Sequence, residues 1–238
     1  MLDLSLIKAI TLDLDDTLWP VWPAIEQAEK ALDAWLSDHA PMTAALFANP
    51  AARLEIRREV VREHPQWTHD LKAIRREAIR RALYKCGESA HLADPAFDIF
   101  FNARNQVRLY DDALLALEFL AKRFRLVALT NGNADVHRIG IGHYFHACIS
   151  AQNFGVGKPD PRIFHAAAGA LQVSPAQVLH IGDDPELDVL GALNCGMQTV
   201  WLNRSRHDWA HPQVPHLTAA SLSELCDVLA SKSWPALL

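Results

Sequence analysis

The chain has 238 residues, half of them hydrophobic and 21% charged, with a formal net charge of −5. That balance is globular, and the length suits one large domain or a domain carrying a sizeable insertion. The slight acidity supplies no basic field for nucleic acid or anionic lipid, and no apolar run nears the ~20 residues of a membrane span.

The N-terminus, with Asp3, lacks the basic-then-apolar build of a signal peptide. Cys86, Cys148, Cys195 and Cys226 form no CxxC pair, so neither a zinc site nor a disulfide framework is indicated. The twelve histidines show no zinc spacing either, and none is expected to bind metal. A reduced, cytoplasmic setting is expected.

From the N-terminus, IKAITLDLD (7–15) is an apolar run rich in β-branched residues that ends in polar ones, and it predicts a buried strand. Ile25, Ala28, Leu32, Trp35 and Leu36 then follow helical spacing, closed by HAP at 39–41. Further helices are predicted over 52–64 and over 68–87, the latter stopped by Gly87. Another spans 94–107, with Asp94 as its N-cap and Pro95 at the first helical position. No strand interrupts 21–107, which holds twelve basic and twelve acidic residues and so no charge excess for nucleic acid. Arg75, Arg76, Arg80 and Arg81 read as a solvated helix face, with a rim attracting anionic substrate as the alternative. Trp19 and Trp22 are expected to pack at the base of the helical stretch; stacking on a planar ligand is the alternative.

Beyond residue 107 the period changes. DDALLALEFLAKRF predicts a helix, RLVALT (125–130) a strand, and DPRIFHAAAGALQV a helix. QVLHIGD (177–183) is a strand, DVLGALNCG a helix and MQTVWLN (197–203) a strand. Such alternation implies right-handed βαβ units on a parallel sheet, with helices on both faces. The first strand belongs to that sheet. The expected architecture is an α/β fold, a Rossmann-like parallel-sheet core (1–20 and 108–238) with an inserted all-helical cap domain (21–107).

Ligands of such sheets bind beyond the carboxyl ends of the strands, and there the polar residues gather. One strand ends in Asp13-Leu14-Asp15-Asp16-Thr17, another in Thr130-Asn131-Gly132-Asn133, a third in Gly182-Asp183-Asp184; GVGKPDPRIF places Lys158 in a loop just before a helix. The set suits phosphoryl transfer. Asp13 is the candidate nucleophile, forming an aspartyl-phosphate. Asp15, two residues on, is the candidate acid for the leaving alcohol and then the base for water. Carboxylates this crowded need a hard cation, and Asp13, Asp15 and Asp183 are the expected Mg²⁺ ligands. The Thr130 hydroxyl, the Asn131 backbone N–H and the Lys158 ammonium are the candidate phosphate-binding donors. Asp16 reads as a turn or cap carboxylate. Asp184 and Asp188 stand evenly between supporting the metal ligands from behind and ordering their loop.

This constellation closely resembles the haloacid dehalogenase (HAD) superfamily. DLDDT (13–17), LTNGN (129–133), Lys158 in GKPDP and IGDDPELD (181–188) match its four motifs in order, and an insertion between the first two is the C1 cap of subfamily I. Dehalogenase members generally lack the second aspartate of the first motif, so Asp15 implies a phosphatase; the transport-ATPase branch needs membrane helices that are absent. LVALTNGNAD, GHYF and HIGDDPELDVLGALNCGMQTVWLNR are most similar to bacterial phosphatases acting on FMN or on the riboflavin precursor 5-amino-6-(5-phospho-D-ribitylamino)uracil. The resemblance thus implies a Mg²⁺-dependent hydrolase of a small phosphorylated metabolite. The alternatives are a sugar-phosphate phosphatase or phosphomutase of the same superfamily, or an inactive HAD-like binding protein. Tyr110-Asp111-Asp112 departs from the subfamily pattern, in which a Pro-Gly pair often precedes the helix.

Overall fold

The strand β1 (Ala9–Leu12) is buried at all four positions, as expected of an apolar, β-branched run covered on both faces. This computed structural model describes residues 2–231; residues 232–238, assigned above to the core, lie outside the described residues.

Five helices follow: α1 (Val21–His39), α2 (Pro41–Phe47), α3 (Pro50–Glu63), α4 (Leu71–Lys85) and α5 (Ala93–Arg104). Ala24, Ala28, Leu32 and Leu36 recur every four residues along α1 and bury one stripe of it. Ala28, Leu32 and Leu36 join Phe47, Ile56, Val60, Ile79, Leu83, Phe97 and Phe100 in one apolar core. Each large side chain so buried contributes about 1.5–3 kcal/mol.

The boundaries move where proline and asparagine chemistry was misjudged. α1 ends at His39, as HAP implies, but Pro41 also opens α2 at its first position, a helix not expected there. Asn49 caps α3, its Oδ1 accepting from Ala51 N at 3.0 Å, so that helix starts before residue 52. Asp94 lies inside α5 rather than at its cap and pairs with Arg76 at 3.0 Å.

The four arginines of α4 are not a bare cationic face. Arg75 is largely buried, paired with Glu29 and laid over the Phe100 ring at 3.9 Å. Arg80 meets Glu77 at 2.8 Å and Arg81 meets Glu63 at 2.9 Å. Trp22 is 71% exposed, so the packing role expected of it does not hold, whereas Trp19 is fully buried.

The α/β part resumes with α6 (Ala113–Ala121), β2 (Arg125–Thr130), α7 (Val136–Ile139), β3 (Ala147–Ser150) and α8 (Ala151–Phe154). It continues with α9 (Pro161–Leu171), β4 (Val178–Gly182), α10 (Gly191–Asn194), β5 (Gln198–Leu202), β6 (Leu217–Ala219) and α11 (Leu222–Ala230). The strands form one parallel sheet in the order β3-β2-β1-β4-β5-β6. Ile163, Phe164, Ala167, Ala168 and Leu171 of α9 pack on Ala9, Val127, Leu129 and Val178 of the strands. β1 sits between β2 and β4, so its carboxyl end lies at the topological switch point. β3 and β6 were not foreseen; they are short edge strands, and every residue of β3 is partly exposed.

By its internal contacts the chain divides into two compact units, Met1–Pro20 with Arg108–Leu238, and Val21–Val107. The unusual Tyr110-Asp111-Asp112 has a structural use in the first unit. Asp112 pairs with Arg204 at 3.0 Å and accepts from Leu222 N at 2.7 Å, while Arg204 lies over the Tyr110 ring at 3.9 Å and donates to Thr17 O at 3.1 Å.

Candidate active site

The sheet hydrogen bonding runs one residue past β1, where Asp13 N donates to Ile181 O at 2.9 Å. The chain then turns sharply. Asp16 takes a left-handed backbone, φ 58°, and its N–H donates to Trp19 O at 2.7 Å. Aspartate is among the few side chains that tolerate this conformation, which explains the residue type at a position with no further assigned chemistry. The same turn folds the Trp19 indole back, and its Nε1 donates to Asp15 Oδ1 at 2.8 Å. A Cβ on Gly132 would collide with Asp15 Oδ2, so only glycine lets the β2 loop approach so closely.

Thr130, at the end of β2, is buried, and its Oγ1 accepts from Gly132 N at 2.9 Å, leaving the hydroxyl hydrogen free to donate elsewhere. Asn131 does something the sequence did not indicate. Its side chain grips the main chain of Lys158, accepting from Lys158 N at 2.7 Å and donating to Lys158 O at 2.8 Å. Lys158 is buried, and its Nζ donates to Asp13 Oδ1 and, at 2.5 Å, to Asp188 Oδ1. Asp183 accepts from Thr17 Oγ1 at 3.2 Å.

Of the two acidic residues left open, Asp184 orders the loop, its carboxylate accepting from Glu186 N and Leu187 N at 2.8 Å. Asp188 belongs to the cluster. Besides Lys158 it meets His180 Nε2 at 3.1 Å and accepts from Asp184 N at 3.1 Å. A Cβ on Gly182 would overlap its carboxyl group. Asp13, Asp183 and Asp188 thus converge, each offering one oxygen within 4.8 Å of the others. The Asp15 carboxylate is not in this group; it faces Trp19.

Burial pushes the Asp13 carboxyl well above the ordinary range, with Lys158 pulling it back and Asp188 and Asp183 adding repulsion. Burial and the neighbouring carboxylates of Asp188 and Asp16 raise Asp183 to about 7. For Asp188 burial also opposes ionisation, but Lys158 and the His180 hydrogen bond overcome it and hold the carboxyl well below its usual range. Burial likewise opposes the Lys158 ammonium, yet Asp13 and Asp188 keep it charged. Burial lowers the pKa of His180.

Fully ionised, three carboxylates facing one ammonium would carry two uncompensated negative charges, all on hard oxygen donors, and a cation would favour that ionised form. That donor set fits Mg²⁺. The linkage also has a definite sign. Asp183 ionises more readily unfolded than folded, so the folded state holds more protons near neutrality and stability is lost as pH rises through the folded pKa. Metal-free protein is therefore expected to melt at a lower temperature at about pH 8 than at about pH 6.5. Mg²⁺ should raise the midpoint more at the higher pH. Thermal denaturation at both pH values, with and without Mg²⁺, checks this; an equal Mg²⁺ effect at both would contradict it.

A parallel-sheet hydrolase core with an aspartate–lysine–aspartate cluster at its switch point is the class these features define. The chain belongs to the haloacid dehalogenase-like hydrolase family, whose sequence profile matches residues 7–196. Phosphatases are among its relatives. It is 33% identical to the 5-amino-6-(5-phospho-D-ribitylamino)uracil phosphatase YigB of Escherichia coli, over 95% of this chain and 98% of that one. It is 30% identical to the glyceraldehyde 3-phosphate phosphatase of Methanopyrus kandleri, over 94% and 97%. A solved structure described as a 2-haloacid dehalogenase from Pseudomonas syringae pv. Tomato DC3000 superposes with a TM-score of 0.90 at 38% identity, over 94% of this chain and 99% of that chain. Among the described residues no helix is long and apolar enough to cross a membrane.

Proposed function

We propose that the chain is a Mg²⁺-dependent phosphatase that frees phosphate from a small phosphorylated metabolite through a phosphoryl-Asp13 intermediate. The observation that carries this reading is the different setting of two aspartates two residues apart. Asp13 is buried against Lys158, while Asp15 is held from the side by Trp19.

In the proposed reaction an Asp13 oxygen attacks phosphorus in line with the ester oxygen, and the ester P–O bond breaks. Asp15 gives its proton to the departing alkoxide. It then takes a proton from the water that attacks phosphoryl-Asp13, which restores the free carboxylate and releases phosphate. Thr130 through its hydroxyl, Asn131 through its backbone N–H and Lys158 through its ammonium donate to the equatorial oxygens on which charge builds. Asp13 and Asp183 would hold Mg²⁺, which supplies the positive charge that lets an anionic nucleophile meet an anionic ester. Dialysis against EDTA is expected to silence turnover and Mg²⁺ to restore it. Ca²⁺ should substitute poorly, because it takes more ligands at longer distances. Full activity after dialysis against EDTA would remove the metal from the account.

The relative YigB supports a flavin-pathway ester as substrate, either 5-amino-6-(5-phospho-D-ribitylamino)uracil or FMN. The Methanopyrus relative keeps small sugar phosphates as the comparison class. A second reading, 2-haloacid dehalogenation, is favoured by the Pseudomonas structure. Asp15 favours the phosphatase, since a departing halide needs no proton whereas an alkoxide does. The deciding experiment offers these two esters, glyceraldehyde 3-phosphate and 2-chloropropionate, and measures phosphate and chloride release. Phosphate from the ribityl esters at the highest kcat/KM is expected. Brisk release from glyceraldehyde 3-phosphate with none from the ribityl esters would discard the flavin assignment, and chloride without phosphate would discard the phosphatase.

A further inference from the structure

His180 and Thr11 face each other across the sheet, registered as partners on β4 and β1 and both buried. Neither is used by the chemistry proposed above, and a histidine paired with a threonine inside two apolar strands requires a reason.

The hydrogen bonds fix their roles. Asp188 shares the Lys158 ammonium with Asp13, so its carboxyl is ionised and only accepts. His180 Nε2, at 3.1 Å from Asp188 Oδ1, is therefore the donor. A buried neutral imidazole carrying its proton on Nε2 has a bare lone pair on Nδ1, and Thr11 Oγ1, 2.8 Å away, gives its hydrogen to that lone pair. The hydroxyl of β1 thus satisfies the Nδ1 lone pair left by the tautomer that Asp188 fixes, and anchors the ring from its far side. Phe164 meets the ring edge-on at 5.3 Å and limits its rotation.

We propose that Thr11 and His180 are positioning residues: together they orient Asp188, and through Asp188 they hold the Lys158 ammonium in reach of Asp13. The kinetic part of this proposal rests on the phosphatase reading; the tautomer part does not.

Two measurements test it. The first records ¹⁵N shifts of the His180 ring in metal-free protein. The wild type should carry a proton on Nε2 alone, and Thr11→Val, nearly isosteric but without a hydroxyl, should keep that tautomer while its Nδ1 resonance moves downfield, as for a ring nitrogen that has lost a hydrogen-bond donor. A wild-type Nδ1–H tautomer, or an Nδ1 resonance that does not move in Thr11→Val, would overturn the proposal whether or not any ester is hydrolysed.

The second compares kinetics with p-nitrophenyl phosphate and melting temperature. His180→Leu should lower kcat about 10–100-fold, the range for losing a supporting hydrogen bond, with KM nearly unchanged. His180→Gln, which keeps a donor near the Nε2 position, should recover part of kcat. Phe164→Leu, which loosens packing without removing a hydrogen bond, should cost melting temperature more than kcat. The His180→Leu loss should largely vanish in an Asp188→Asn background, because the imidazole acts through that carboxylate. Unchanged kcat in His180→Leu, or losses that simply multiply with Asp188→Asn, would overturn the proposal. Absence of turnover by the wild type would count against the phosphatase instead, leaving the ring shifts to decide the positioning role.

Discussion

Asp13→Asn is expected to abolish turnover while the fold remains intact. The amide nearly matches the carboxylate in shape, so it fits the same space beside Lys158 and can still accept one hydrogen bond from the ammonium. It is a far poorer nucleophile, and it removes one of the three converging carboxylate oxygens. A drop of ~10⁴-fold or more is expected, the order seen when a covalent nucleophile is removed from a set of groups acting as a unit. Because removing a raised-pKa carboxyl also relieves repulsion with Asp183 and Asp188, the melting temperature should hold or rise. Unfolding of this variant would leave its lost activity uninformative about chemistry, so circular dichroism accompanies the assay. Activity above a few per cent of wild type in a folded Asp13→Asn protein would remove Asp13 from the nucleophile role.

For Asp15→Asn the expected loss depends on the leaving group. With alkyl esters such as a ribityl phosphate, proton transfer to the departing oxygen is lost, at ~10²–10⁴-fold. With p-nitrophenyl phosphate the leaving group hardly needs a proton, so bond breaking survives and the phosphoryl-enzyme forms quickly. Its hydrolysis still needs the base, so an initial burst of nitrophenol followed by slow turnover is expected. The Trp19 hydrogen bond can pass to the amide oxygen, which keeps the turn in place. Equal losses on alkyl and nitrophenyl esters, without a burst, would contradict the acid–base assignment.

The residues from which these predictions start were legible because strand-end chemistry stands out against apolar runs. Asp13 and Asp183 each follow a buried strand and Thr130 ends one, and parallel topology alone brings those ends to one edge. Asp188 was harder. Residues Pro185–Leu190 form a π-helical turn, with Val189 N bonding back to Asp184 O at 3.2 Å, and no helical period read from sequence anticipates where such a turn points its side chains.

His180 and Thr11 were legible as residues but not as a pair. Each looks like an isolated polar position in an apolar strand, and only the register of β1 against β4 joins them across 169 residues. The Trp19–Asp15 bond depends in the same way on a left-handed residue at Asp16 that no motif marks. Arg204, tying Asp112 to Thr17, comes from a loop after β5 that carries no periodic signal. The helices of the 21–107 stretch were read by their apolar spacing, while α2 was lost because Pro41 serves equally as a stop and as a first helical residue.

The central claim, a covalent phosphoryl-Asp13 intermediate, is tested most directly by acid-quenching the enzyme during turnover of p-nitrophenyl phosphate and mapping its peptides by mass spectrometry. Asp15→Asn, in which breakdown is slow, is the preferred form because the intermediate should accumulate. The account predicts one phosphoryl group on the peptide containing Asp13, labile to hydroxylamine and absent from Asp13→Asn. No phosphoryl adduct during active turnover, or an adduct on a serine, histidine or other aspartate, would contradict it.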